Sequence, residues 1–135
     1  MPHSKGLAQY WRKMPQWYRL EGVVCETCNT AYFPSRSICP KCRRTGKISA
    51  KKFSGTGKVY SFTTIHTTPS GFDLQKPYNL AIIELDEGPR LTAQVVDCAP
   101  DNMKIGQKVE AIFRRIKETG PEGIIQYGYK FRPVN

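Results

Sequence analysis

Two Cys-x-x-Cys pairs, Cys25-Glu-Thr-Cys28 and Cys39-Pro-Lys-Cys42, stand ten residues apart in the first third of the chain and constrain its fold more than any other feature. Two residues between paired cysteines let a tight turn aim both thiolates at one point while the amides of the turn donate to the sulfurs. Two such turns close a tetrahedron of thiolates around one ion and leave no position open for water or substrate. The spacing therefore predicts one structural zinc ion held by Cys25, Cys28, Cys39 and Cys42. A single-iron site of the rubredoxin kind has the same spacing and stays open as the alternative metal. A redox dithiol would need one pair of depressed pKa and would leave the second pair idle. Asn29 follows the first pair and readily takes the left-handed conformation that such turns use; Arg43 stands after the second pair, where glycine is usual.

A fifth cysteine, Cys98, makes the count odd. The N-terminus, Met-Pro-His-Ser-Lys-Gly, lacks the apolar core of an export signal, so a disulfide framework is disfavoured and a cytoplasmic location expected. No stretch approaches the roughly 20 apolar residues of a membrane span. At 135 residues the chain has room for one ordinary domain, or for a metal-stapled module joined to a compact β domain. The formal charge of +10 is uneven: residues 25 to 58 hold eight Lys and Arg against one acid, whereas residues 59 to 135 hold nine of each. The basic excess thus lies in and around the cysteine module.

Leu7, Tyr10, Trp11, Met14, Trp17 and Tyr18 recur at helical spacing, which predicts an amphipathic helix over residues 5 to 18 that Pro15 ends or kinks. Its aromatic stripe either packs on the same chain or docks on a partner. From Arg19 to about Lys47 the pattern is turn-rich and cannot bury a core unaided. Five strands follow, at 57–67, 78–86, 90–97, 107–117 and 123–131, separated by turn sequences such as Thr-Pro-Ser-Gly at 68–71 and Thr-Gly-Pro-Glu-Gly at 119–123. Five strands in about 80 residues suit a small OB-type barrel better than a sandwich. The expected fold is mainly β: an N-terminal helix (1–20), a rubredoxin-like four-cysteine zinc ribbon (21–50) and a five-stranded OB-fold barrel (51–135).

Catalytic constellations are absent from the pattern. Cys98 reads as a small buried hydrophobe, His66 as a lone strand histidine, and Glu84, Asp86 and Glu87 as a solvated strand end. No Ser/His/Asp set, paired-acid arrangement or phosphate-cradling glycine loop can be assembled.

The order helix, four-cysteine ribbon, barrel resembles the zinc-ribbon/OB-fold acyl-CoA-associated family known as domain of unknown function 35. Carrying the resemblance are Phe33-Pro34, Cys39-Pro40-Lys41-Cys42, the run Gly55-Thr56-Gly57-Lys58-Val59-Tyr60-Ser61-Phe62-Thr63, Pro77-Tyr78, Ala81 to Leu85, Asp86-Glu87-Gly88 and Ile105-Gly106-Gln107-Lys108-Val109. It spans roughly residues 8 to 133. The resemblance implies a non-catalytic partner of thiolase-like enzymes whose barrel helps to enclose coenzyme A. In archaea, members resemble the bridge between acetoacetyl-CoA thiolase and HMG-CoA synthase in the mevalonate route to isoprenoid precursors.

A coenzyme A or acyl-CoA site needs cations beside an aromatic shelf. Candidate contacts are Phe62, His66 and Phe72 on or after the first barrel strand, and Arg115 and Lys117, which strict alternation puts on one face of the fourth. Each could equally be ordinary solvated surface. The competing reading is a nucleic-acid-binding module, because ribbons and OB barrels both bind nucleic acids and Arg36, Lys41, Arg43, Arg44, Lys47, Lys51, Lys52 and Lys58 form a basic tract. An independent acyl-transfer enzyme using Cys98 or His66 ranks third, since no base for the thiol and no oxyanion-hole motif is visible.

Overall fold

A computed structural model describes residues 6–70, 72–118 and 120–134. The first five residues of the expected N-terminal segment lie outside that range, as do Gly71 and Thr119 of two expected turns. Helix α1 (Leu7–Arg19) is followed by strands β1 (Glu21–Cys25), β2 (Thr30–Tyr32) and β3 (Ile48–Lys52). These pair antiparallel in the order β2-β1-β3. Strands β4 (Thr56–Ile65), β5 (Tyr78–Leu85), β6 (Arg90–Val95), β7 (Lys108–Glu118) and β8 (Ile125–Pro133) close a barrel in the order β4-β5-β6-β8-β7. This is the expected mainly β architecture of helix, four-cysteine module and five-stranded OB barrel. The ribbon sheet reaches Lys52, two residues past the expected boundary at 50.

Alternation sets the barrel core. Val59 pairs with Ile83 and Ile83 with Leu91, while Val109 and Phe131 approach from β7 and β8, and all five are buried. Closure is uneven: β7 and β8 share nine register pairs, β6 and β8 only Val95↔Phe131. Across that sparse seam lies the β4–β5 connection, whose Gln75 Oε1 accepts from Lys130 Nζ at 3.1 Å and Gln94 Nε2 at 3.1 Å.

The helix does not end at Pro15; it runs on to Arg19. A proline removes only its own donor, and the carbonyl that loses its bond belongs to Trp11, 73% exposed, where water can replace it. Little local chemistry starts this helix, since Gly6 supplies no side-chain cap and the first turn has no acid. Packing holds it instead. The Tyr127 amide donates to Tyr10 Oη at 3.2 Å, Tyr18 meets Phe113 edge-on at 5.1 Å, and the Trp17 ring lies 6.4 Å from Tyr129. The aromatic stripe is therefore split: Tyr10, Trp17 and Tyr18 pack on the chain's own barrel, whereas Leu7 and Trp11 face outward.

The acids read as a solvated strand end are tied down. Glu84 pairs with Arg90 at 2.9 Å and Lys58 at 3.7 Å, Asp86 accepts from the Thr56 hydroxyl, and Glu87 accepts from the Ser54 amide at 2.7 Å. The last two contacts pin the segment joining ribbon to barrel. Between the modules, Phe33 and Phe53 meet edge-on at 6.2 Å. Gly22 makes room for this, because a Cβ there would lie 2.5 Å from the Phe53 ring.

Candidate metal centre and ligand groove

Cys25 ends β1 and Cys28 follows in the turn to β2; Cys39 and Cys42 sit in the second turn, where the Arg43 amide donates to the Cys39 carbonyl at 2.8 Å. Asn29 (φ 54°) and Arg43 (φ 52°) take the left-handed conformation, so the two turns match although only Asn29 tolerates it readily. All four sulfurs lie within 4.8 Å of one another, with Cys25 and Cys39 fully buried. A Zn–S bond of about 2.3 Å implies a tetrahedral edge of roughly 3.8 Å. Cys28 Sγ and Cys39 Sγ are 3.6 Å apart, so the donor set fits a thiolate-bound ion.

The surroundings prepare thiolates. The Cys42 amide donates to Cys39 Sγ at 3.5 Å and Tyr32 Oη lies 3.5 Å from the same sulfur. In that order these contacts pull the Cys39 thiol down to about 6. The Thr30 hydroxyl, 3.4 Å from Cys28 Sγ, holds Cys28 below its ordinary value. Cys42 is pushed up to about 12, first by the neighbouring Cys28 sulfur. Four sulfurs this close cannot all ionise without a cation among them. Gly46 completes the cradle: a Cβ there would lie 2.9 Å from Cys42 Cβ and 3.0 Å from Cys39 Cβ. Sequence reasoning passed over this glycine, four residues after the last ligand.

The candidate coenzyme contacts do not form one cluster. Phe62 lies on β4 and is 37% exposed, His66 is exposed just beyond that strand, and Phe72 is half-buried 6.1 Å from Tyr78. Arg115 pairs with Glu118 at 3.2 Å. Arg115 stands opposite Tyr127 and Lys117 opposite Gln126, with Ile116 bulged between them. That extra residue turns the two cations to opposite faces, where unbroken alternation puts them together.

A groove of about 540 Å³ opens instead where all three modules meet. Trp17 comes from the helix, Phe33 and Pro34 from the ribbon, and Tyr60, Ile82 and Arg90 from the barrel. A bulge between Val59 and Ser61 releases Tyr60 from the alternation, leaving it 48% exposed, and Arg90 stacks 3.8 Å over its ring. No sequence signal marks that bulge. Cys98 is half-buried against the core, its thiol raised by burial, and donates to the Ala99 carbonyl at 3.4 Å with no base at hand.

Ribbon, helix and barrel together define a metal-ribbon/OB-fold protein. Residues 12–47 match the family model described as the ChsH2 rubredoxin-like zinc ribbon domain, and residues 50–114 the ChsH2 C-terminal OB-fold domain. A DUF35 domain-containing scaffold protein of Methanocaldococcus jannaschii is 53% identical over 131 residues, covering 97% of this chain and 93% of the relative. The chain belongs to the DUF35 family of scaffold proteins. A probable enoyl-CoA hydratase alpha subunit of Thermomonospora curvata is 35% identical over 101 residues, which span 74% of this chain and 31% of that protein. Among solved structures, a chain of the Ltp2-ChsH2(DUF35) aldolase superposes with a TM-score of 0.72 at 32% identity, covering 98% of both chains. Among the described residues no helix is long and apolar enough to cross a membrane.

Proposed function

We propose that this chain is a non-catalytic scaffold subunit which binds coenzyme A or acyl-CoA beside a thiolase-fold enzyme in the cytoplasm. Its setting is an acetoacetyl-CoA thiolase/HMG-CoA synthase assembly of the mevalonate pathway, and its ribbon carries one structural zinc ion. The observation that carries the reading is the groove at the junction of the modules: aromatic walls, one cation stacked on Tyr60, and a volume within the roughly 300–1,000 Å³ of small-molecule sites. Such walls suit an adenine ring, and a cation at the rim suits a phosphate. Relatives named scaffold protein, enoyl-CoA hydratase subunit and aldolase complex support the same chemistry. The groove holds no nucleophile with an adjacent base, which fits holding a thioester rather than cleaving it. Phe62, His66, Phe72, Arg115 and Lys117 enter the proposal as separate contacts of a long ligand or of the neighbouring enzyme.

Calorimetric titration of coenzyme A and acetyl-CoA into the full chain, alone and with thiolase-fold enzymes of its own cell, tests this. Micromolar binding is expected, weakened about tenfold or more by Tyr60→Ala or Arg90→Ala with metal content unchanged. Absence of both coenzyme binding and enzyme association sinks the reading.

A further inference from the structure

Between Glu26 and Asp73 the chain has no acidic residue. Two of the eight cations in that stretch reach carboxylates from elsewhere: Lys47 pairs with Glu26 at 3.2 Å and Lys58 with Glu84 at 3.7 Å. Arg36, Lys41, Arg43 and Arg44 form no ion pair among the described residues, and all four are exposed. They share one place in the fold, the loop that carries the second cysteine pair. Arg36 lies 5.6 Å over Tyr32, whose hydroxyl touches Cys39 Sγ, and Lys41 Nζ donates to Thr30 Oγ1 at 3.4 Å. Arg43 bridges back to Cys39. In their midst Ile38 is 58% exposed. Four cations around an apolar side chain, fixed to a metal-linked turn, form a rigid charged tip rather than a solvated tail.

The aromatics of the tract decide what such a tip can receive. A single-strand binder interleaves exposed rings with its charge so that bases can stack. Here Phe33 and Phe53 are 8% and 3% exposed, and Tyr32 is half-buried beneath Arg36. No ring of the tract is free to stack. An apolar residue ringed by cations instead matches a protein face in which acids surround a shallow apolar contact.

We propose that the loop from Arg36 to Arg44 is a docking surface for an acidic protein face, with Ile38 seated at its centre. Resting on the scaffold reading above, that face belongs to the enzyme subunit with which the chain assembles. The cations steer encounter and fix orientation, so their removal acts mainly on the association rate.

The test uses the full metal-loaded chain and the thiolase-fold enzyme recovered with it by native pull-down, with association followed by biolayer interferometry at low and high salt. Binding by the unaltered chain is expected to weaken about tenfold or more as salt rises. Reversal of charge in Arg43→Glu/Arg44→Glu is expected to cost at least as much and to flatten the salt dependence. A second variant, Arg36→Glu/Lys41→Glu, avoids the left-handed position, and Ile38→Asp probes the apolar centre. Metal content of each separates lost docking from a lost fold. Unchanged assembly by metal-loaded charge variants overturns the docking surface and leaves the scaffold reading standing; failure of the unaltered chain to assemble overturns both. Tighter binding to a single-stranded or duplex oligonucleotide than to the enzyme, lost in the same variants, overturns the proposal by assigning the tip to nucleic acid.

Discussion

The barrel holds Val59, Ile83, Leu85, Val109 and Phe131 at 2% exposure or less, whereas between Glu21 and Lys52 the side chains so far from water are Cys25 and Cys39. One module is specified by apolar alternation spread along five strands, the other by four sulfurs and the turns that aim them. A distributed core yields in increments when one member is lost. A cross-link of four ligands has no comparable partial state, because apparent binding energies of about 10–16 kcal/mol for structural zinc coincide with folding of the module.

The largest effect should come from breaking that cross-link. Cys39→Ala removes a buried ligand, and loss of the metal together with collapse of β1, β2 and β3 is expected while β4 to β8 stay protected. Elemental analysis and amide hydrogen exchange read the two modules separately. Retained stoichiometric metal would contradict the site, and loss of barrel protection would show that the modules do not fold independently.

The converse variant is Phe131→Ala. Phe131 is fully buried, lies 6.1 Å from Tyr129 and forms the single register pair between β6 and β8. Truncation should cost about 3–5 kcal/mol in denaturant titration, with metal content unchanged. A loss below about 1 kcal/mol would mean that β6 and β8 are held chiefly by the strap over the seam.

Lys130 probes that strap. Burial, and then Arg114, hold its ammonium below the ordinary lysine value of 10.5, and its hydrogen-bond partner is the neutral Gln75. A lysine depressed in the fold binds its proton less readily than in the unfolded chain. Stability is therefore lowest where Lys130 is charged and rises with pH between the depressed value and 10.5. Above about pH 10 the trend reverses, because burial keeps Tyr18 and Tyr129 protonated while unfolded phenols ionise. Lys130→Met should raise stability at neutral pH by ~1 kcal/mol and flatten the alkaline rise. Gln75 keeps its bond from Gln94. Melting temperatures from pH 7 to 10 read both effects, and an unaltered slope would mean that Lys130 is solvated in the fold.

What the sequence disclosed follows the same division. The five barrel strands are legible because the Val/Ile/Leu positions repeat at period two, and the observed β4 to β8 fall within about two residues of the expected spans. The four metal ligands are legible because their spacing has few uses. Side-chain direction beyond a bulge is not: Tyr60 and Ile116 break the alternation through backbone geometry that their neighbours do not announce. Nor is burial by a remote segment. Alternation places Lys130 outside, opposite the core residue Phe131, and only the connection carrying Phe72 and Gln75 encloses it. The helix outlasted Pro15 for a related reason, since its packing on Tyr127, Phe113 and Tyr129 lies on both sides of the proline.

The smallest expected effect concerns the turn that departs from the usual knuckle. Arg43 holds φ 52° so that its amide can reach the Cys39 carbonyl, and a side chain in that conformation costs about 1 kcal/mol or more. Glycine there would relieve the strain but also widen the unfolded ensemble, which offsets roughly 0.4–1 kcal/mol of the gain. The net should fall between nothing and ~1 kcal/mol in favour of Arg43→Gly. Because the ribbon folds with its metal, the gain should appear as metal affinity up to about fivefold tighter in a chelator competition. Asn29→Gly should gain less, since asparagine adopts φ 54° more readily. Weaker metal binding by Arg43→Gly would mean that the arginine side chain, and not only the backbone turn, shapes the ribbon, narrowing its contrast with the side-chain-specified barrel.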